Sequence, residues 1–286
     1  MTALLELARL FSKLYASQRN QARVNLLWLL TAAGKMNFIG SKKYIEEQLD
    51  HNENSPLADA QLVLSLESLA AKDQRTSGGL YMHVSKVPKE KTPVANFFKS
   101  LKDAHEARGR GASAVTMIHK KINLADETLA WEHERFSFRR LQAFTVSTST
   151  QHKLSSRSSM FDTCDDVDLD SLVANIELLA EALASQAFPA TRGKDFDALI
   201  KPELKVSAAN VKATFKQLCS QARSPQLLLT KQKGKDNFVV APFVAQLESM
   251  LKKSVKNTGY KHFKLDQREP EVVFYEPSVG TLNVYK

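Results

Sequence analysis

Apolar positions at the amino terminus recur with helical spacing. Leu4, Leu7, Ala8, Phe11, Leu14 and Tyr15 fall on one helical face, and Glu6, Arg9 and Lys13 interrupt any continuous apolar run. The pattern predicts an amphipathic core helix rather than a signal peptide. The period then changes. VNLLWLLT at 24–31 is nearly continuously apolar, as expected of a central strand buried on both faces. Gly40 and Ser41 open a short helix, SKKYIEEQL.

QLVLSLE at 61–67 and LYMHVSKV at 80–87 are strand-like, and the polar KDQRTSGG stretch between them reads as a hairpin or exposed turn. Thr92 as N-cap and Pro93 at the first helical position start a helix through Val94, Phe97, Phe98 and Leu101. AVTMIHK at 114–120 and LQAFTVS at 141–147 predict further strands, bracketing an irregular, charged WEHERF segment. Residues 147–159 turn to Ser, Thr, Gln and Lys and predict a loop. Asp168 or Asp170 then caps a long helix in which Leu169, Leu172, Val173, Ile176, Leu179, Ala180 and Leu183 keep helical spacing.

Strands alternating with helical patterns place the chain in the α/β class: a central, mostly parallel or mixed sheet flanked by helices. Beyond Pro189 the pattern becomes helical, about 206–222 and about 241–256, joined by LLLT and a lysine-rich turn. These changes predict an α/β domain at 1–190 and a basic helical region and tail at 191–286. The last stretch, EPEVVFYEPSVGTLNVYK, starts like a strand but is punctuated by Pro270 and Pro277.

Charge changes this picture only in the last third. The formal charge is +9, yet 16 Lys or Arg against 6 Asp or Glu lie between Arg192 and Arg268, so the remainder is close to neutral. Those lysines are spaced along helices without interleaved aromatics, which reads as a solvated face and not as a nucleic-acid surface. The two cysteines, Cys164 and Cys219, permit one bridge at most and do not reveal the redox compartment. The longest apolar run, VNLLWLL at 24–30, is far shorter than the roughly 20 residues a spanning helix requires, so the chain as written is expected to be soluble.

Generic catalytic motifs are missing: the sequence has no GxSxG, HExxH, CxxC or Walker loop. RGRG at 108–111 reads as a helix C-cap. His133, between Glu132 and Glu134, is the one local cluster of candidate ligands, and its plainer reading is a hydrogen-bonded structural histidine.

The order of segments, strand, FIGS turn, helix, strand ending in an acid, then an acid-His segment, resembles the M28-type zinc aminopeptidases. In that family a Glu-Glu pair precedes a Gly-Ser, and the first Glu is the general base beside two zinc ions held by His and carboxylates. Matching Gly40-Ser41 to that Gly-Ser puts Gly34 and Lys35 where the Glu pair belongs. Glu67 stands at the aspartate ligand, Trp131-Glu132-His133 at the Ser-Asp-His segment, and Ser158 where the last histidine ligand would be, followed by Asp162-Thr163. The family's first His and bridging Asp would lie upstream of Met1. The resemblance therefore implies no catalytic residues, no metal ligands and no cofactor. The alternative it leaves is an active zinc aminopeptidase with displaced ligands drawn from Glu67, Glu132 and His133.

HKKINLADETLAWEHERFSFRRLQAFTVS at 119–147, NLLWLLTAAGKMNFIGSKKYIEEQLDH before it and REPEVVFY at 268–275 are similar to the nicalin family of nicastrin-like proteins. That resemblance implies a non-enzymatic subunit whose domain lies in the lumen of the endoplasmic reticulum membrane. Its implied partners are nodal modulator, a multi-pass membrane protein and the translocon, and its implied roles are biogenesis of multi-pass proteins, receptor assembly and Nodal signalling. The family also carries a signal, upstream peptidase strands and a transmembrane helix. None of these is evident here, so the sequence reads as a truncated chain with an incomplete sheet.

Overall fold

The computed structural model describes residues 1–17, 22–72, 79–109, 115–159, 162–188, 196–221, 231–232, 238–239, 241–261 and 263. In chain order the elements are α1 (Thr2–Ala16), α2 (Ile39–Asp50), β1 (Val63–Leu66), β2 (Leu80–Val84), α3 (Pro93–Ala107), β3 (Val115–His119) and α4 (His133–Phe138). There follow β4 (Ala143–Ser147), α5 (Ser155–Ser158), α6 (Leu169–Ala187), α7 (Ala208–Cys219), the small ribbon β5 (Lys231–Gln232) and β6 (Phe238–Val239), and α8 (Pro242–Lys252).

Four strands form a mixed sheet in the order β1-β4-β2-β3. β1 runs parallel to β4, β3 parallel to β2, and the two pairs meet antiparallel between β4 and β2. Because successive side chains point to opposite faces, each strand feeds two different environments. Leu80, Met82, Val84, Phe144 and Val146 face the main core with α1, α3 and α6. The opposite face carries a smaller apolar cluster of Ile45, Leu57, Phe136 and Ala143, and beside it buried polar groups.

The helix ends follow local chemistry. The Thr92 hydroxyl accepts the Ala95 N–H at 3.3 Å, Pro93 occupies the first turn of α3, and Gly109 at φ +58° follows the C-cap, as the RGRG reading anticipated. Of the two candidate caps on α6, Asp168 serves: its carboxylate accepts the Asp170 N–H at 3.1 Å. Buried Asn175 donates to the Leu69 carbonyl at 2.7 Å, fixing α6 to the turn that follows β1. Glu6, which interrupts the apolar run of α1, is itself buried. It takes two hydrogen bonds from Arg9 and one from the Ser207 N–H at 3.1 Å, joining α1 to the start of α7.

Three expectations are corrected. Residues 24–31 are not a paired strand. Ala22, Val24, Leu26 and Trp28 pack on the core while Arg23, Asn25 and Leu27 are exposed, so the alternation of a strand is kept with no strand partner among the described residues. Apolar runs report burial, whereas pairing depends on which backbone lies alongside. Likewise 61–67 and 80–87 do not form a hairpin, since β4 lies between β1 and β2; most of the polar stretch between them lies outside the described residues. WEHERF is not irregular. Its last residues form α4, with His133 and Phe136 buried one turn apart, a span too short to register as periodicity.

The expected helices near 206–222 and 241–256 are α7 and α8, and Leu204, Val206 and Val211 share the core of Leu7 and Ile176. A disulfide joins Cys164 to Cys219, with the Cα atoms 6.2 Å apart. The LLLT segment and the tail from 264 lie outside the described residues, and no helix among the described residues is long and apolar enough to cross a membrane.

Candidate functional site

The second face of the sheet is built from polar residues at strand positions that alternate with core residues. Register places Ser65, Thr145 and His83 in one row across β1, β4 and β2. All three are buried, as are Ser147 and Ser149. Two further histidine-bearing contacts rest on this row. His133, at the start of α4, places Nδ1 2.9 Å from the Thr145 hydroxyl and Nε2 2.9 Å from that of Ser85. His83 donates Nε2–H to the Ser149 carbonyl at 2.8 Å. Burial makes the imidazolium forms costly, lowering His83 to about 4 and His133 to about 3. Both rings are neutral at physiological pH.

Trp131 is the centre of the next layer. The His83 ring stacks on its indole at a centroid distance of 3.8 Å, and the Arg157 guanidinium carbon lies 4.0 Å from the same centroid. Two groups that close cannot share one face of the ring, so the indole lies between them. Arg157 grips both carboxylate oxygens of Glu67 and donates to the Ala130 carbonyl at 2.8 Å. Glu132, next in sequence, accepts from the hydroxyls of Ser41 and of Thr31, the latter at 3.0 Å.

The turn before α2 brings in the cation. Ala33, Asn37 and Phe38 all have left-handed backbones, near φ +55°. The Asn37 side chain accepts the Leu129 N–H at 2.8 Å and donates to the Glu127 carbonyl at 3.2 Å. So held, the turn aims Lys35 at Asp162, 2.6 Å away, and at the carbonyls of Ser156 and Ser159. Gly40 cannot carry a side chain: a Cβ would meet the Ala32 oxygen at 2.2 Å.

The structure therefore brings Lys35, Glu67, Glu132 and Asp162 to the lining of one cavity, together with residues of the α5 turn that Ser158 ends, while Ser41 and His133 are buried and do not line it. Gly34 is exposed beside Lys35. Among the described residues no three His, Cys, Asp or Glu side chains are placed to hold one metal ion. Both carboxylate oxygens of Glu67 are held by Arg157, both nitrogens of His133 face hydroxyls, and Lys35 ion-pairs with Asp162, so this donor set does not fit a zinc ion. Glu134, whose Oε2 accepts the Ala130 N–H at 3.1 Å, leaves Oε1 buried without a partner, and burial pushes its carboxyl upward.

Sequence reasoning missed His83, Thr145 and Arg157. The first two were legible as the polar positions of alternating strands; Arg157 lies in the single-turn helix α5, within the stretch expected to be a loop, which is too short for a pattern to mark it.

No protein-family model matches the chain. Over its whole length it is 37% identical to the mouse protein named BOS complex subunit NCLN and, over 99% of its length, 38% identical to the zebrafish one. Over 64% of its length it is 31% identical to a Caenorhabditis elegans protein named Nicalin. The chain is a nicalin relative along its whole length. It spans about half of the vertebrate nicalins it matches, 49% of the mouse protein and 50% of the zebrafish one. Among solved structures, a zinc aminopeptidase from Bacillus subtilis matches 58% of the chain at a TM-score of 0.42 and 14% identity.

Proposed function

We propose that this chain is a non-catalytic, peptidase-like subunit of a membrane-associated protein complex. The observation that carries the reading is the engagement of the polar cluster: Glu67, Glu132 and His133, which resemble zinc ligands, each already have protein partners, and Lys35 is paired with Asp162. A general base needs a free, basic oxygen or nitrogen beside a reactive water. Glu67 is held by a bidentate guanidinium and His133 faces hydroxyls at both nitrogens; Glu132 accepts both its hydroxyls on Oε1, and among the described residues it has no second and third ligand beside it to hold a metal ion.

The cluster does have a mechanical role that suits a scaffold. Lys35, Asn37 and Ser41 from the turn before α2 and its first residues, Trp131 to His133 from a second segment, and Arg157 and Asp162 from a third are fastened to each other, fixing three segments of the chain together. The Cys164–Cys219 bridge supports a position in an oxidising compartment, as expected of a lumenal domain of the endoplasmic reticulum. The mouse relative is named as a subunit of the BOS complex. In this reading the partners are those the nicalin resemblance implies, nodal modulator and a multi-pass protein at the translocon, and the role is assembly of multi-pass membrane proteins.

Purified chain incubated with aminoacyl fluorogenic substrates, with and without added zinc, tests the reading. Turnover is expected to stay at the buffer rate in both. Stoichiometric zinc together with chelator-sensitive turnover would sink it.

A further inference from the structure

Three of the eight large apolar side chains that stand exposed among the described residues sit at one end of the sheet: Leu124 at 83%, Val87 at 57% and Phe138 at 43%. Topology puts them there. The Lys120 N–H bonds to the Val84 carbonyl at 3.0 Å, and Val84 lies opposite Phe144, so the chain leaving β2, the chain leaving β3 and the chain entering β4 meet at that end. The same segments carry Lys86, Lys89, Lys91, Lys121 and Arg140, all exposed and none in an ion pair among the described residues. Lys120 and Asp126 offset each other at 4.0 Å, Arg139 is paired with Asp50, and the acids left over are Glu90 and Glu127. The balance is positive. We propose that this end of the sheet docks on an anionic lipid bilayer, with the apolar tips entering the interface and the lysines meeting headgroup phosphates.

Local structure holds the tips outward. The Asn123 side chain accepts the Ala125 N–H at 3.1 Å and its carbonyl accepts the Asp126 N–H at 3.3 Å, so Leu124 stands on a closed turn whose base is tied by Lys120 and Asp126. It is the most exposed of the eight. In the other loop Val87 precedes Pro88, whose ring fixes the backbone and offers no N–H. The Thr92 hydroxyl and N–H both donate to the Lys89 carbonyl, at 2.7 and 3.3 Å, with Lys91 between them at φ +64°. A single exposed Leu is ordinary; three apolar side chains at one end, set among unpaired cations, form a patch that calls for a partner.

Side-chain chemistry selects lipid over protein. Interfaces between proteins are depleted in Lys and enriched in Tyr and Trp, and these segments supply four unpaired lysines and neither aromatic. Beside a bilayer the same lysines are well placed, because the stem lies along the apolar boundary while the ammonium reaches the phosphates. Shape agrees. Peptide ligands are held in grooves or on strand edges, whereas Leu124 projects from a turn into solvent. Attraction to an anionic surface strengthens binding by roughly fivefold for each nearby Lys, and apolar insertion supplies the second contribution that stable anchoring requires. Docking here is independent of whether the polar cluster performs chemistry, because vesicle binding is read without substrate.

The test sediments the full chain with vesicles of phosphatidylcholine alone or mixed with phosphatidylserine. Binding is expected on the mixed vesicles and should weaken as salt rises. Val87→Ser combined with Leu124→Ser should cut the affinity about tenfold, and Lys86→Glu combined with Lys89→Glu by at least about tenfold. Leu27→Ser, at a side chain 58% exposed outside these segments, should change nothing. Leu124→Trp places a fluorophore at the tip, and brominated acyl chains should quench it on the mixed vesicles. If the double serine variant does not fold, that quenching still decides. Absence of sedimentation, equal binding to phosphatidylcholine alone, affinity indifferent to the serine pair, an unquenched tryptophan, or capture of polyglutamate in place of vesicles would each overturn the proposal.

Discussion

Arg157 holds both carboxylate oxygens of Glu67 while its guanidinium lies against the indole of Trp131. The pair is mostly buried, with side-chain exposures of 10% and 25%. Arg157→Met should therefore leave Glu67 uncompensated and cost about 2–4 kcal/mol in denaturant unfolding. Arg157→Lys should recover little, because an ammonium cannot make the bidentate contact or stack on the ring. Full recovery by lysine would show that the charge alone matters.

Gly40 and Gly34 offer a matched pair. A methyl at Gly40 meets backbone atoms of Ala32, which cannot rotate away, whereas nothing lies within 4 Å of one at Gly34. Gly40→Ala should destabilise by about 2–4 kcal/mol, and Gly34→Ala should be near neutral. Equal midpoints in urea for the two variants would contradict this packing.

The buried histidines set an acid limit. Both are neutral in the folded chain, at about 4 for His83 and about 3 for His133, and return to the ordinary value near 6.5 on unfolding. Below that value the unfolded state binds protons the folded state refuses, so stability falls as pH drops from about 6.5 towards 4. The slope is roughly 1.4 kcal/mol per pH unit for each ring. His133→Asn should flatten the midpoint-against-pH curve in that window by about half. A slope unchanged by the substitution would refute the assignment.

Cys164 and Cys219 close a loop of 55 residues in sequence separation. Loop entropy assigns such a closure about 4 kcal/mol in destabilising the unfolded chain. Cys164→Ser or addition of reductant should lower the melting temperature by several degrees, and the double serine variant should no longer respond to reductant.

How much was legible beforehand is best judged at particular residues. The spacing of Leu7, Phe11 and Leu14, the Thr92-Pro93 start of α3 and the acidic cap of α6 declare themselves, because their causes act over one or two turns. That Gly34 and Lys35 stand where an acidic pair would be expected rests on the resemblance alone. The Cys164–Cys219 bridge was open, since two cysteines state only that a pair is possible.

Tertiary structure decided which segments became neighbours. VNLLWLL could announce that it is buried but not that it lines a cavity, because hydropathy measures removal from water and is silent about backbone partners. The order β1-β4-β2-β3 brings Ser65, Thr145 and His83 into one row from segments widely separated in sequence, and only that row makes His133 a neutral, doubly hydrogen-bonded ring. Local forces wrote the elements into the sequence; the polar cluster and the cavity arise from long-range packing, where the partner of each group is chosen by the fold.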